Sequence, residues 1–116
     1  MNVKEFYAET NGDYEEVIGR LGKEERILKY LKRFAEEKVL DTLETSLASK
    51  DYPEAFRAVH SIKGMCMNLG LRKLQQSSGI LCEEIRNGEP QNDITDMVET
   101  VKNDYDYTVE MISKVE

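Results

Sequence analysis

The chain has 116 residues, a mass of 13.4 kDa and a formal charge of −7 at pH 7. A chain of this length is expected to form one domain, residues 1–116, that buries about two thirds of the surface exposed by its unfolded form. The acidic balance disfavours nucleic acids and anionic membrane surfaces as partners, because phosphate groups are bound by clustered Lys and Arg.

The apolar residues and the cysteines indicate the cellular compartment and exclude some kinds of site. No apolar run exceeds three residues and the first residues lack a signal-peptide pattern, so we expect no membrane segment. Cys66 and Cys82 lie in helical patterns rather than in a dense cysteine framework, which favours reduced thiols in the cytoplasm. With one histidine in the chain, a four-ligand metal site would need carboxylates at unsuitable spacings. We therefore expect no metal or cofactor of its own.

Capping patterns predict two short helices at the start of the chain. Asn2 with Glu5, and Asp13 with Glu16, each place an acid three residues after an N-cap residue. This spacing is the capping-box pattern, in which each side chain bonds to the other residue's backbone N–H. The second of these helices should end at Gly22.

The third helix, which begins near Glu24, carries two apolar stripes that point in directions roughly 150° apart. A straight helix could not bury both stripes against one core. We therefore predict a break between about Glu36 and Asp41, with Asp41 and Glu44 as a new capping box and a short helix to about Ser49. The first stripe consists of Ile27, Leu31 and Phe34, and the second of Val39, Leu40, Leu43 and Leu47.

Three longer helices follow in the second half of the chain. Asp51 caps the first, which ends at Gly70, and Asp93 caps the last. The middle helix carries an apolar stripe from Leu71 to Ile85. No segment shows sustained period-two alternation, so no sheet is expected. The pattern predicts an all-α protein, an up-and-down four-helix bundle with additional short N-terminal helices.

The single histidine, His60, lies on the helix after Asp51. The apolar residues of that helix cluster within about 40° of one direction, whereas His60 lies roughly 140° away, so its imidazole should project from the bundle. An outward direction excludes a core histidine but leaves an idle surface residue open. His exchanges protons near neutral pH, and its nitrogen can carry a group covalently. The apolar cluster consists of Ala55, Val59, Ile62, Cys66 and Leu69.

The neighbours of His60 on the helix argue against an idle position. Gly64 lies one turn further on, and a glycine inside a helix costs roughly 1 kcal/mol relative to Ala, so its presence suggests that something approaches closely. Lys63 could neutralise an anion on the imidazole, although an exposed lysine is more often simply solvated. Phe56 and Met67 flank the same face, either as the periphery of the core or as a patch that contacts a partner.

The segment AVHSIKGMCMNLGLRKL, residues 58–74, resembles the signature of histidine-containing phosphotransfer (HPt) domains of two-component phosphorelays. In that signature Lys-Gly follows the histidine after two residues, and an aliphatic-Gly pair follows nine and ten positions after it. The segment GDYEEVIGRLGKEERILKYLKRF, residues 12–34, is similar to the helix pair that precedes the signature in small bacterial members. Since the chain has capping residues directly after Met1, we expect a stand-alone carrier, with excision from a hybrid kinase as the alternative.

The resemblance implies a four-helix bundle with a reversibly phosphorylated histidine. His60 matches the phosphoacceptor, Lys63 the neighbouring cation and Gly64 the small residue that leaves space. Many members have Glu or Gln twenty-two positions after the histidine, where it can orient the imidazole, but this chain has Cys82 there and Gly79 one turn earlier. The resemblance therefore leaves open which side chain orients His60, and three further candidates on that helix are Gln75, Gln76 and Glu83.

The leading functional hypothesis is a phosphoryl carrier without autonomous kinase activity. The resemblance implies that response-regulator receiver domains and a hybrid sensor histidine kinase are the partners, and that the receiver supplies the aspartate and Mg²⁺. We expect a monomer whose docking face joins His60, Gly64 and Met67 to apolar residues of the N-terminal helices such as Phe6 or Val17, with Phe56 at its edge. A bundle that binds a partner without carrying phosphate is the alternative. An enzyme is disfavoured because no nucleotide motif is present.

Overall fold

Seven α-helices and no strand make up the computed structural model, which describes all 116 residues. The all-α prediction is therefore confirmed. The helices are α1 (Val3–Glu9), α2 (Tyr14–Leu21), α3 (Glu24–Glu36), α4 (Val39–Ala48), α5 (Tyr52–Leu69), α6 (Arg72–Ile85) and α7 (Thr95–Ile112). No helix combines the length and apolar character that a membrane span requires.

Side-chain caps begin three of the seven helices, α1, α2 and α5, at the residues that the sequence predicts. The Asn2 carboxamide accepts from the Glu5 amide at 2.8 Å while the Glu5 carboxylate accepts from the Asn2 amide, which completes a capping box. The carboxylates of Asp13 and Asp51 accept from the third amide of α2 and α5, respectively. The predicted cap of α7 is wrong by one residue, because the N-cap is Ile94, which makes no capping bond, although Asp93 accepts from the Thr95 amide at 2.9 Å.

The predicted break in the third helix is confirmed, but its predicted cap is wrong. α3 ends at Glu36 and α4 begins at Val39, so each part can turn its own stripe toward the core. Asp41 lies inside the first turn of α4 rather than at its N-cap, and the N-cap residue Lys38 makes no capping bond. A residue in the first turn can still favour the helix through its charge, because the N-terminal end of a helix dipole attracts an anion.

The bundle is built around α5, which packs most extensively against α6 and α4. α7 packs against α6 and α3, so that the broken α3–α4 pair, α5, α6 and α7 form the four members of the predicted bundle. A single hydrophobic core joins all of them, and α1 and α2 contribute Val3, Phe6, Tyr7 and Val17 to it. The two N-terminal helices are therefore part of the core.

The α1–α2 segment is tied to the turn between α5 and α6. The Tyr7 hydroxyl donates to the Leu69 carbonyl at 2.6 Å, in a buried position. The Asp13 amide donates to the Gly70 carbonyl at 3.1 Å, and the Asp13 carboxylate pairs with Arg72. Gly70 ends α5 with a φ of +63°, a conformation that favours glycine. These bonds fix the end of the helix that carries His60.

Candidate functional site

His60 is exposed on α5, on the side of the helix away from the core. The predicted outward direction follows from the burial of Ala55, Val59, Ile62 and Cys66 on the opposite face. An exposed imidazole nitrogen is accessible to a reactant that approaches from solvent, which a core histidine would not be.

Lys63 and Gly64 lie one helical turn beyond His60, as predicted. Lys63 is half-buried and makes no ion pair within the chain, so its positive charge is not neutralised by a carboxylate. A Cβ atom placed on Gly64 would have no neighbouring atom within 4 Å, so the space above this residue is open. An uncompensated cation and an open approach beside an imidazole suit the binding of an anionic group.

The lysine side chain extends across the neighbouring helix. A Cβ atom on Gly79 of α6 would lie 3.8 Å from Cε of Lys63. A larger side chain at position 79 would therefore compete with the lysine stem for this space. The glycine that lies one turn before Cys82 thus allows Lys63 to lie along the groove between α5 and α6.

Cys82 of α6 faces His60 directly. Its Sγ lies 3.9 Å from Nδ1 of the imidazole, within the range of a hydrogen bond to sulfur. The side chain is buried, and burial raises the pKa of the Cys82 thiol, which keeps the sulfur protonated at neutral pH. The residue at this position therefore contacts the histidine as a neutral group.

An aromatic ring supports the imidazole along α5. The Phe56 and His60 rings are stacked with centroids 5.6 Å apart and planes inclined by 15°. The Arg86 guanidinium lies 5.3 Å from the centroid of the same Phe56 ring, and Arg86 donates to Glu83 at 2.5 Å and 3.2 Å. This hydrogen bond to the guanidinium lowers the pKa of the exposed Glu83 carboxyl.

A shallow groove continues from Lys63 across α6 and α2. Met67 and Ile80 line it and are 49% and 56% exposed, the two most exposed of the large apolar side chains. The groove combines these apolar residues with more cations than carboxylates, although the whole chain is acidic. Its charged lining residues are Arg20, Lys63, Arg72 and Lys73, and Glu16 and Glu83.

The predicted docking role of Phe6 and Val17 is wrong. Both side chains are 0% exposed, because α1 and α2 turn their apolar faces toward the core. Phe6 lies against Tyr7 with ring centroids 5.1 Å apart, and the methyl groups of Val17 lie next to Gly70. Of the predicted partner residues, Phe56 is half-buried beside His60, and Met67 is exposed in the groove.

Two residues near the site, Ile80 and Arg86, were not singled out from the sequence. Ile80 falls outside the apolar stripe of α6, so its exposure could have been predicted from the helical period. The stacking of Phe56 on His60 could also have been predicted, because residues four apart share a face of a helix. The contact of Arg86 with Phe56 joins two helices, and the helical period of either one does not reveal it. No three side chains of the metal-ligating types meet at one place.

A comparison with known protein families agrees with this geometry. A family model described as the Hpt domain matches residues 26–109, well over half of the chain. Searches of curated proteins and of solved structures gave no match. The matched range runs from the first turn of α3 into the last turn of α7 and contains His60, Lys63 and Gly64. The chain belongs to the Hpt domain family, the helical phosphotransfer modules of two-component signalling.

Proposed function

We propose that His60 carries a phosphoryl group between receiver domains of a phosphorelay. An imidazole nitrogen of His60 attacks the phosphorus of an aspartyl phosphate on the first receiver. A nitrogen–phosphorus bond forms while the bond between phosphorus and the aspartate oxygen breaks, and the carboxylate leaves with the electron pair. A carboxylate of the second receiver then displaces the imidazole in the same way.

One observation carries this proposal: the only histidine of the chain is exposed beside an unpaired lysine and an open glycine. Phosphoryl transfer depends mainly on the alignment of the reacting groups and on the neutralisation of charge. Lys63 would offset part of the negative charge on the transferred group. Gly64 would let the loops of a receiver reach the backbone of α5.

The same reasoning assigns the remaining chemistry to the partners. HPt domains are phosphocarrier modules rather than kinases, and this chain has no nucleotide-binding motif, so we propose that it has no autonomous kinase activity. The receiver would supply the aspartate and the Mg²⁺. We further propose a monomeric carrier in the cytoplasm, with a hybrid sensor histidine kinase upstream.

The groove beside Lys63 is the docking surface that we propose in place of one containing Phe6 and Val17. Met67 and Ile80 would form a small apolar centre, and the cations around them would form the rim. Such a modest interface suits partners that must separate after each transfer. Lys63, the one lining cation without a carboxylate partner, would also attract an acidic receiver face, despite the net charge of −7.

Incubation with a phosphorylated receiver tests the proposal. The wild-type chain should acquire a label that is lost in acid and survives base, as expected of a phosphoramidate. His60→Gln should acquire none, whereas the matched variant Gln91→Ala, an exposed glutamine outside the groove, should be labelled as the wild type is. Full labelling of His60→Gln would overturn the assignment of the acceptor. Binding of the receiver without any labelling of the wild type would instead favour the interaction module.

A further inference from the structure

We propose that Phe56 and Cys82 are positioning residues, which together hold the His60 imidazole with Nδ1 toward α6 and Nε2 toward solvent. This inference rests on the proposed function of His60 and identifies the two side chains that fix the orientation of its imidazole. Neither residue contacts the reacting phosphorus in this scheme, since both act through the imidazole.

Phe56 sets the plane of the ring. Its own ring is nearly parallel to the imidazole, at an inclination of 15° and a centroid distance of 5.6 Å, which is the offset-stacked arrangement preferred by aromatic pairs. Phe56 is half-buried, and its ring also contacts the Arg86 guanidinium, which the Glu83 carboxylate holds. A contact from the C-cap residue of α6 therefore restrains the aromatic ring against which His60 lies.

Cys82 distinguishes the two edges of the imidazole. Its Sγ approaches Nδ1 at 3.9 Å, so a half-turn of the ring would replace this nitrogen by a carbon and lose the contact. A thiol can donate a hydrogen bond through its proton or accept one at sulfur. The contact can therefore persist whether or not Nδ1 carries a proton. A neutral thiol also adds no negative charge that would repel an incoming phosphoryl group.

With the plane and the edge both set, Nε2 is the nitrogen left free to react. In the transfer step the Nε2 lone pair forms the bond to phosphorus, and the bond between phosphorus and the aspartate oxygen breaks. The electron pair leaves with the carboxylate. Any proton on Nδ1 stays beside the Cys82 sulfur. Correct alignment of a nucleophile is a large part of the rate of such a step, and small displacements reduce it severely.

The experiment compares four variants of the full chain: Phe56→Leu, Phe56→Tyr, Cys82→Ala and the double variant Phe56→Leu/Cys82→Ala. Cys66→Ala is the matched control, because Cys66 is the other buried thiol and lies on the opposite face of α5. Each ¹⁵N-labelled protein is phosphorylated with phosphoramidate, and the coupling between ³¹P and ¹⁵N identifies the phosphorylated nitrogen. The rate of transfer from a phosphorylated receiver is measured separately as a function of receiver concentration.

The wild type, Phe56→Tyr and Cys66→Ala should carry phosphorus on Nε2 alone, whereas the double variant should give both isomers. Phe56→Leu and Cys82→Ala should each lower the transfer rate at saturating receiver by about tenfold and leave KM unchanged. Phe56→Tyr should keep the wild-type transfer rate, because tyrosine keeps an aromatic ring stacked on His60. Phosphorus on Nε2 alone in the double variant, or unchanged saturating rates in both single variants, would overturn the proposal.

Two further readouts keep the test decisive. In the unphosphorylated chain, the stacked ring should shift the NMR signals of the His60 imidazole protons. This ring-current shift should be lost in Phe56→Leu and kept in Phe56→Tyr. A shift that survives in Phe56→Leu would contradict the stacking. This measurement stands even if the wild type accepts no phosphoryl group, an outcome that would refute the proposed function instead. If Cys82→Ala does not fold, Cys82→Val fills the space without a hydrogen bond and should show the same tenfold loss.

Discussion

Glycine has opposite roles in two regions of this bundle. At the His60 face a Cβ atom on Gly64 would meet nothing within 4 Å. At the α5–α6 turn, a Cβ atom on Gly70 would lie 2.5 Å from a methyl group of Val17, and one on Gly12 would lie 2.7 Å from the Gly70 carbonyl oxygen. The turn uses glycine because the chain is closely packed there. The His60 face keeps a glycine where nothing in the chain itself requires one, which is consistent with a surface reserved for a partner.

The largest effect is expected for Gly70→Ala. The substitution places a side chain at a φ of +63° and against Val17, so left-handed strain and overpacking both act. We expect the free energy of unfolding to fall by about 3 kcal/mol, as measured by urea denaturation followed by circular dichroism. A loss below about 1 kcal/mol would mean that the α1–α2 segment moves away from the turn easily, and the contrast between the regions would fail.

Gly64→Leu should have the next largest effect, on transfer rather than on stability. The open space at position 64 can hold the leucine side chain without strain. The leucine would, however, occupy the path by which a receiver approaches His60. We expect phosphotransfer from a receiver to slow by at least about tenfold, because the reacting groups could no longer be aligned. The control is phosphorylation by phosphoramidate, a small donor that should still reach His60. Equal slowing with both donors would point to a damaged histidine instead of a blocked partner.

The tightly packed region should also determine the response to alkali. Burial raises the pKa of the Tyr7 phenol above its ordinary value of 10.0, and burial raises the pKa of the Cys66 thiol from 9.0 to about 12. Both groups keep their protons longer in the folded chain than in the unfolded chain. The stability that they contribute is therefore complete below about pH 9 and declines as the pH rises beyond 9 to 10.

Tyr7→Phe sharpens this prediction. The variant loses the hydrogen bond to the Leu69 carbonyl, so its free energy of unfolding at pH 7 should be lower by about 1 kcal/mol. Between pH 9 and 11 the variant should lose less stability than the wild type. It has no phenol at position 7, so no group there with a raised pKa favours unfolding in alkali. Parallel pH profiles for the two proteins, from thermal unfolding at each pH, would contradict the role of Tyr7 burial.

Gly64→Ala should change the free energy of unfolding in the opposite direction to Gly70→Ala, and by a smaller amount. Because a Cβ atom at position 64 meets no neighbour, only the helix propensity changes, and the free energy of unfolding should rise by up to about 1 kcal/mol. The same substitution would thus stabilise one region and destabilise the other. A decrease in stability would show that Gly64 is needed for folding and not only for access.

Lys63→Ala is expected to have the smallest effect. The lysine is only half-buried, so salt and water screen its charge, and we expect transfer to slow a few-fold. The slowing should shrink as ionic strength increases, whereas Lys63→Arg should retain most of the rate. A loss that does not depend on salt would indicate that the lysine stem acts by packing across Gly79.

The helices and the direction of His60 were predictable because they depend on residues close together in the chain. The helical period places His60 away from the buried stripe of Ala55, Val59 and Ile62, and puts Lys63 and Gly64 one turn beyond it. The break after Glu36 was predictable for the same reason, since two stripes on different faces cannot share one core. Capping was less certain at Asp41, because an acid in the first turn and an acid at the N-cap give similar sequence patterns.

Contacts between helices were decided only by the tertiary structure. The two short N-terminal helices, seven and eight residues long, carry apolar faces, but the helical period does not decide whether such a face meets the core or a partner, so the sequence left Phe6 and Val17 available to a partner. Packing instead buries both against the core. The position of Cys82 was known, but its distance from Nδ1 depends on how α6 is rotated and spaced against α5. The sequence by itself determined which residues share the face of α5 with His60, since helical geometry repeats along the chain; only side-chain packing between helices decided what lies opposite that face.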